Sequence, residues 1–328
     1  MHRISAIVII LVVGVLAIFG GAYIYLSPGR LAVPGFASNL PSSSASSTTY
    51  PPISIGNGKP IAGIMGAHAD DFSFIKSWGA NTVHYYKYPG DTHQIASVLA
   101  LAKQTGLNVF VSVAKVEQFN NAFDLAGIKA NPTRFFPDNQ IVAGDRAFLG
   151  YWIVDEPCNP KKKSPVQAAD FVDLYSTVKT VNPKIPIIIN FGTLECLQGF
   201  VKASQPGWKL TDIAMFTITE KKLMSQPSYI SDQAKIATSI KAFDPNIKIL
   251  PQLAVLEFKQ VGAPMTPASW AQSAGLETAK YLGSFDGVLY YSFRAYENVK
   301  FIGKAIGDVK DDPAYASAFK TVFQKVTK

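Results

Sequence analysis

The chain has 328 residues, 16% of them charged and 48% hydrophobic, a balance that excludes a disordered protein and allows one large core. Its net charge of +8 is modest for the length and favours anionic partners such as a lipid surface or an acidic glycan. The basic residues are scattered and no binding motif accompanies them, which excludes nucleic acid as a partner.

Ile4–Leu26 is apolar apart from Ser5 and two tyrosines and carries no charge. It is longer than the roughly 20 residues that cross a bilayer as a helix. His2 and Arg3 precede it, as suits a cytoplasmic N-terminus, and Tyr23 and Tyr25 suit the outer interface. An uncleaved transmembrane anchor over residues 1–26 is therefore expected. The rival is a signal peptide cut after Ala22, whose apolar core would be unusually long. Both readings put the remainder outside the cytoplasm. Residues 27–57 are rich in serine, proline and glycine and hold no helical or strand period, so they read as a disordered linker.

Residues 58–328 then repeat one pattern: a short apolar run, a polar loop and an amphipathic helix. Continuous apolar runs suit parallel strands buried on both faces. They occur at Ile61–Met65, Thr82–Tyr86, Asn108–Val113, Leu149–Val154, Ile185–Asn190, Ile213–Thr217, Ile247–Gln252 and Gly287–Ser292. Helices are expected from Asp91 to Thr105, closed by Gly106, and from Ser164-Pro165 to about Val181. Others run from Ser228 to Phe243, from Thr266-Pro267 to Leu282 and from Pro313 to Val326. Residues 116–146 are irregular, and the segment after Phe191 is short. Eight βα units in one series predict an α/β fold, a closed (β/α)₈ TIM barrel. No glycine-rich phosphate loop follows the first strand, so no dinucleotide is expected and no cofactor is called for.

In such a barrel the chemistry sits at the C-terminal strand ends. There the chain carries His68; Tyr85, Tyr86 and Tyr88; Lys115 and Glu117; Trp152, Asp155 and Glu156; Asn190; Glu220; Gln252 and Glu257; and Tyr291, Ser292 and Arg294. Rings that stack on sugar faces and amides that bond hydroxyls make this set suit a carbohydrate. The plain alternative for any one of them is a rim residue exposed to water. The four histidines, His2, His68, His84 and His93, lack ligand spacing, so no metal is expected, and His84 reads as a satisfied histidine. Cys158 and Cys196 are the only cysteines, and form either one disulfide or two separate buried thiols.

The string LGYWIVDEPC, residues 149–158, runs an apolar strand into Asp155-Glu156-Pro157. It resembles the fourth strand of the (β/α)₈ retaining glycosidase clan, where an acid/base glutamate precedes proline at the strand tip. The resemblance makes Glu156 the general acid/base, a proton donor fixed on a rigid element. The clan has asparagine before that glutamate, where Asp155 stands here. It also has a nucleophilic glutamate at the end of strand seven. In IKILPQLAVLEF, residues 247–258, the first candidate is Glu257, lying in the loop unless the strand runs long; Glu220, after strand six, is the second. An adjacent Asp-Glu pair also resembles hexosaminidases that use the substrate's acetamido group, but the residues flanking that pair are absent. Tyr291 or Phe293 in strand eight would floor a sugar subsite or simply pack the barrel wall. Lys161-Lys162-Lys163 would favour anionic sugars if its loop borders the site, and is otherwise a solvated run. The expected function is a membrane-anchored extracytoplasmic glycoside hydrolase. The alternatives are a non-catalytic carbohydrate-binding barrel and a stalk-presented interaction domain. Oligomeric state is open.

Overall fold

A computed structural model describes residues 58–86, 94–112, 125–131, 142, 144–159, 166–255, 266–293, 306 and 310–328. All of them lie within the compact unit formed by residues 49–328. Ile4–Leu26 and the linker lie outside the described residues. Among the described residues no helix is long and apolar enough to cross a membrane.

Eight parallel strands close into a barrel in sequence order. They are β1 Ile61–Ala67, β2 Thr82–Tyr85, β3 Asn108–Ser112, β4 Phe148–Asp155, β5 Ile187–Asn190, β6 Ile213–Ile218, β7 Lys248–Ala254 and β8 Gly287–Tyr291. The pairing of β1 with β8, Ile61 opposite Gly287, completes the ring. Between and after them run α1 Phe72–Ser77, α2 Ile95–Thr105, α3 Leu125–Ala130, α4 Ala168–Val181, α5 Leu194–Lys202, α6 Glu220–Ser225, α7 Tyr229–Phe243, α8 Pro267–Ala279 and α9 Pro313–Thr327.

Both faces of the strands are buried, and the side chains divide into two cores. Ile61, Met65, Phe110, Leu149, Ile188, Ile213, Met215, Leu250 and Leu289 fill the lumen. The alternate residues, such as Ile64, Val83, Ile189, Phe216 and Leu253, meet the helices outside. This double burial explains why the strands read as unbroken apolar runs.

Several boundaries correct the sequence reading. Strands β1 and β7 run two residues further than expected, through Gly66-Ala67 and Leu253-Ala254, which are small or apolar and stay in the ladder. Helix α4 starts at Ala168 and not at Pro165, because Gln167 is extended (φ −102°, ψ 159°) and takes the cap position. Helix α8 stops at Ala279, short of Leu282, which instead bridges to Phe285. The short segment after Phe191 holds a true helix, α5, because Thr193 caps it by accepting from Cys196 N–H at 3.2 Å. Helix α2 ends at Gly106 in the left-handed region, as the sequence predicts.

The N-terminal rim carries one device three times. Asn81, Asp212 and Asp286 stand immediately before β2, β6 and β8. Each side chain accepts a backbone N–H of the preceding strand: from Ala62 at 2.9 Å, Ile187 at 2.8 Å and Ile249 at 2.8 Å. Each backbone N–H donates to the carbonyl of that same residue, at 2.9, 3.1 and 2.9 Å. Each carbonyl accepts from the strand on the other side, from Asn108, Lys248 and Ile61. One residue thus ties three neighbouring strands and fixes their register. Around Asp212 the device is buried: Lys179 Nζ lies 2.9 Å from Oδ2 and Tyr175 Oη donates to Oδ1 at 2.7 Å. Burial pushes the Lys179 ammonium below its ordinary pKa, and the charge of Asp212 opposes that shift.

Candidate active site

At the opposite, C-terminal end, the lumen lining turns polar. Thr217 on β6 lies level with Gln252 on β7, and Gln252 with Leu289 on β8. Asp155 on β4 is level with Asn190 on β5, and Asn190 with Met215 on β6.

Strand β4 ends at Asp155, and Glu156 turns the chain out of the sheet with φ of 46°. It is the one non-glycine among the described residues in the left-handed region, which costs a side chain free energy and needs support from its surroundings. That support is present. Glu156 N–H donates to Asn190 O at 2.7 Å, and Asn159 N–H returns to Glu156 O at 3.0 Å. Asn159 Nδ2 donates to Glu156 Oε2 at 2.9 Å. The Glu156 side chain lies against Gly192 in the β5–α5 turn, where a Cβ would come within 3.2 Å of Glu156 Cγ. Gly192 itself has φ of 72°, which favours glycine, and the space for a Cβ beside Glu156 is tight.

The neighbouring polar residues are tied into the same corner. Asn190 is buried; its Nδ2 donates to Asp155 Oδ1 at 2.8 Å and its Oδ1 accepts Gly192 N–H at 3.1 Å. Cys158 and Cys196 form a disulfide with a Cα–Cα distance of 6.0 Å. It joins the residue two places after Glu156 to the first turn of α5, which begins two residues after Gly192. Backbone, amide and disulfide together fix this glutamate.

A second cluster lies deeper in the lumen. His84 is fully buried and stacks on Phe110 at 4.8 Å, with Trp152 edge-on at 4.9 Å. Gly66 N–H points at its Nδ1 at 3.3 Å, so Nδ1 is the acceptor and Nε2 carries the proton toward Ser112 Oγ at 2.7 Å. Burial depresses its pKa to about 3, so the ring is neutral. Trp152 is half-buried, its Nε1 donating to Val154 O, and with Tyr291 it packs over the lumen core.

The other expected site residues fall as follows. His68 follows β1, its Nδ1 3.0 Å from Asp70 Oδ2. Glu220 is the first residue of α6, just after β6, and is 5% exposed. Gln252 is 4% exposed and faces the lumen. Tyr85 does not join the site. Thr82 and His84 take the inward positions of β2, so Tyr85 turns outward and meets Phe72 edge-on at 6.5 Å. Glu257, Tyr88, Lys115, Glu117, Arg294 and Lys161-Lys162-Lys163 lie outside the described residues. Asn159 and Gly192, which touch Glu156, were not singled out by the sequence; the i+3 spacing in Glu156-Pro157-Cys158-Asn159 is the signal for the first.

No protein-family model matches the chain, and no curated protein matches it in sequence. Solved structures do match in shape. A glucosidase from Croceicoccus marinus aligns over 81% of this chain and 68% of its own, at 15% identity and a TM-score of 0.53. ScGas2, solved in complex with a small compound, aligns over 86% and 70%, at 18% identity and a TM-score of 0.55. An FMN-binding beta-glucuronidase from Facaelibacterium prausnitzii L2-6 aligns over 83% of this chain and 44% of its own, at 13% identity and a TM-score of 0.53. At these identities the likeness establishes the fold, a (β/α)₈ barrel shared with glycosidases.

Proposed function

We propose that this barrel is a glycoside hydrolase with Glu156 as general acid/base. The observation that carries the reading is the fixing of Glu156: one carboxylate at the C-terminal end of β4, forced through a left-handed turn and held by Asn159, Asn190 and Gly192. A general acid has to meet the leaving-group oxygen at a defined place, and a rigid mount supplies that. Asp155 beside it, held by the amide of buried Asn190, offers a carboxylate to sugar hydroxyls. The partner carboxylate is Glu257 or Glu220. It would either attack the anomeric carbon or activate a water, depending on its separation from Glu156.

Ile4–Leu26 anchors the barrel in a membrane in this reading, with the barrel outside the cytoplasm and residues 27–57 as a tether. The disulfide supports an oxidising compartment. Lys161-Lys162-Lys163 follows the Glu156 turn closely enough to favour anionic sugars. One observation favours a second reading, a binding barrel without turnover: the polar residue that β7 turns into the lumen is an amide, Gln252, and not a carboxylate.

The test is hydrolysis of a panel of polysaccharides and aryl glycosides by the chain and by Glu156→Gln. Turnover that falls at least about a hundred-fold in the variant matches loss of a general acid. The loss should be largest for poor leaving groups, which need the proton most. Binding without turnover in the parent chain decides for the second reading.

A further inference from the structure

Gln252 is buried in the lumen wall one inward-facing step below Ala254, which pairs with Tyr291. Its Oε1 is shielded from solvent and accepts no hydrogen bond. A buried amide oxygen left in this state costs free energy that an apolar residue would not. Two other polar residues that face the lumen, Asn190 and His84, do not share the condition. Asn190 bonds Asp155 and Gly192, and His84 bonds Gly66 and Ser112. The outward-facing positions beside Gln252 on the same strand are Pro251 and Leu253, and the inward position below is Leu250. An aliphatic side chain would therefore suit position 252 as well as it suits position 250. The amide is kept for a partner from outside the chain.

We infer that Gln252 is a specificity-determining residue that turns its amide toward the mouth of the lumen and reads hydroxyl groups of a sugar ring seated there. The inference rests on the carbohydrate reading above. Oε1 accepts a hydrogen bond from one hydroxyl, and the amide Nε2 donates to the next. A primary amide thereby matches a pair of adjacent hydroxyls, each both donor and acceptor. Trp152 and Tyr291, half-buried over the lumen core, supply apolar surface for the ring.

The experiment measures binding and melting together on the full chain in detergent, in the Glu156→Gln background so that no substrate is turned over. The probes are β-1,3- and β-1,4-gluco-, xylo- and mannohexaose and oligogalacturonate. Gln252→Met keeps the length and removes both hydrogen-bonding groups; Gln252→Leu is the second variant. The expected result is a melting temperature equal to or above that of the parent, with affinity for the bound glycan at least about ten-fold weaker. A monodeoxy analogue of that glycan lacking the hydroxyl read should bind the parent more weakly, yet bind the Met variant no worse than the intact glycan does. Equal affinity in parent and variants overturns the inference and leaves the carbohydrate reading standing. Loss of both melting temperature and affinity in both variants also overturns it, because the amide is then structural. Binding of no probe by the parent overturns the carbohydrate reading and the inference with it.

Discussion

The two ends of this barrel use polar residues in opposite ways. At the N-terminal rim Asn81, Asp212 and Asp286 each accept a backbone N–H of the preceding strand and further bonds from side chains of the chain itself, and Lys179 is buried with a carboxylate and a carbonyl as partners. At the C-terminal end Glu156 sits in a conformation that L-residues avoid, and Gln252 leaves its amide oxygen unbonded. The first arrangement lowers the energy of the chain by itself. The second raises it, which accords with the proposed reading, in which these groups are held for a ligand. Polar groups satisfied within the chain mark stability; polar groups held ready mark function.

The largest effect should come from breaking the closed end. Asp212→Ala leaves Lys179 as an uncompensated buried charge and frees Tyr175 and Ile187 N–H, so a loss of about 3–5 kcal/mol is expected in denaturant unfolding. A loss under about 1 kcal/mol would remove the distinction between the two ends. Next comes the disulfide, whose sequence separation of 38 corresponds to roughly 4 kcal/mol of chain entropy. Cys158→Ser with Cys196→Ser should lower stability by up to that amount. It should also lower turnover in the protein that remains folded, since it loosens the segment two residues from Glu156. Stability lost with turnover per folded molecule unchanged would assign the bond to the scaffold alone.

How much of this was legible in the sequence differs between the same two ends. All eight strands were readable because apolar runs such as Ile187–Ile189 have no other economical place. The place of Glu156 at the tip of β4 is legible because an apolar strand runs directly into Asp155-Glu156-Pro157. The inward or outward sense of a residue was not. When both faces are buried no alternation survives in the sequence, so the pattern does not show that Tyr85 turns outward while His84 lines the lumen. The disulfide stayed open because spacing does not give a Cα–Cα distance. Asn159 and Gly192 went unnoticed because their roles arise only when the β4 and β5 turns come together.

An intermediate effect separates the ends by pH. His84 is neutral in the fold, with its pKa pushed down to about 3 against 6.5 when unfolded. Above 6.5 it is neutral in both states and contributes no pH dependence. As pH falls from 6.5 toward 3 the unfolded chain binds a proton that the folded chain refuses, so stability declines. The loss is about 2 kcal/mol by pH 5, at about 1.4 kcal/mol per unit. Denaturant midpoints of the parent and His84→Gln across this range check it. The variant should lose that part of the slope, whatever its stability at pH 7, and an unchanged slope would show that His84 is not the group responsible.

The smallest change in stability gives the sharpest contrast. Gly192 and Gly207 both have positive φ, 72° and 85°, so replacement by alanine costs each about 1–2 kcal/mol for the backbone conformation. Gly207 lies in the α5–β6 loop on the N-terminal side, and a Cβ there meets nothing within 4 Å. A Cβ at Gly192 meets the Glu156 side chain at 3.2 Å, so that side chain must move by a few tenths of an ångström. Gly207→Ala should therefore lower the melting temperature and leave glycan turnover unchanged. Gly192→Ala should lower melting by a similar amount and turnover as well, because the displaced carboxyl is the proposed proton donor and its hydrogen bond from Asn159 Nδ2 is disturbed. Equal turnover in the two variants would show that the fit between Gly192 and Glu156 is packing alone, and would remove the rigid mount from the case for Glu156 as the acid.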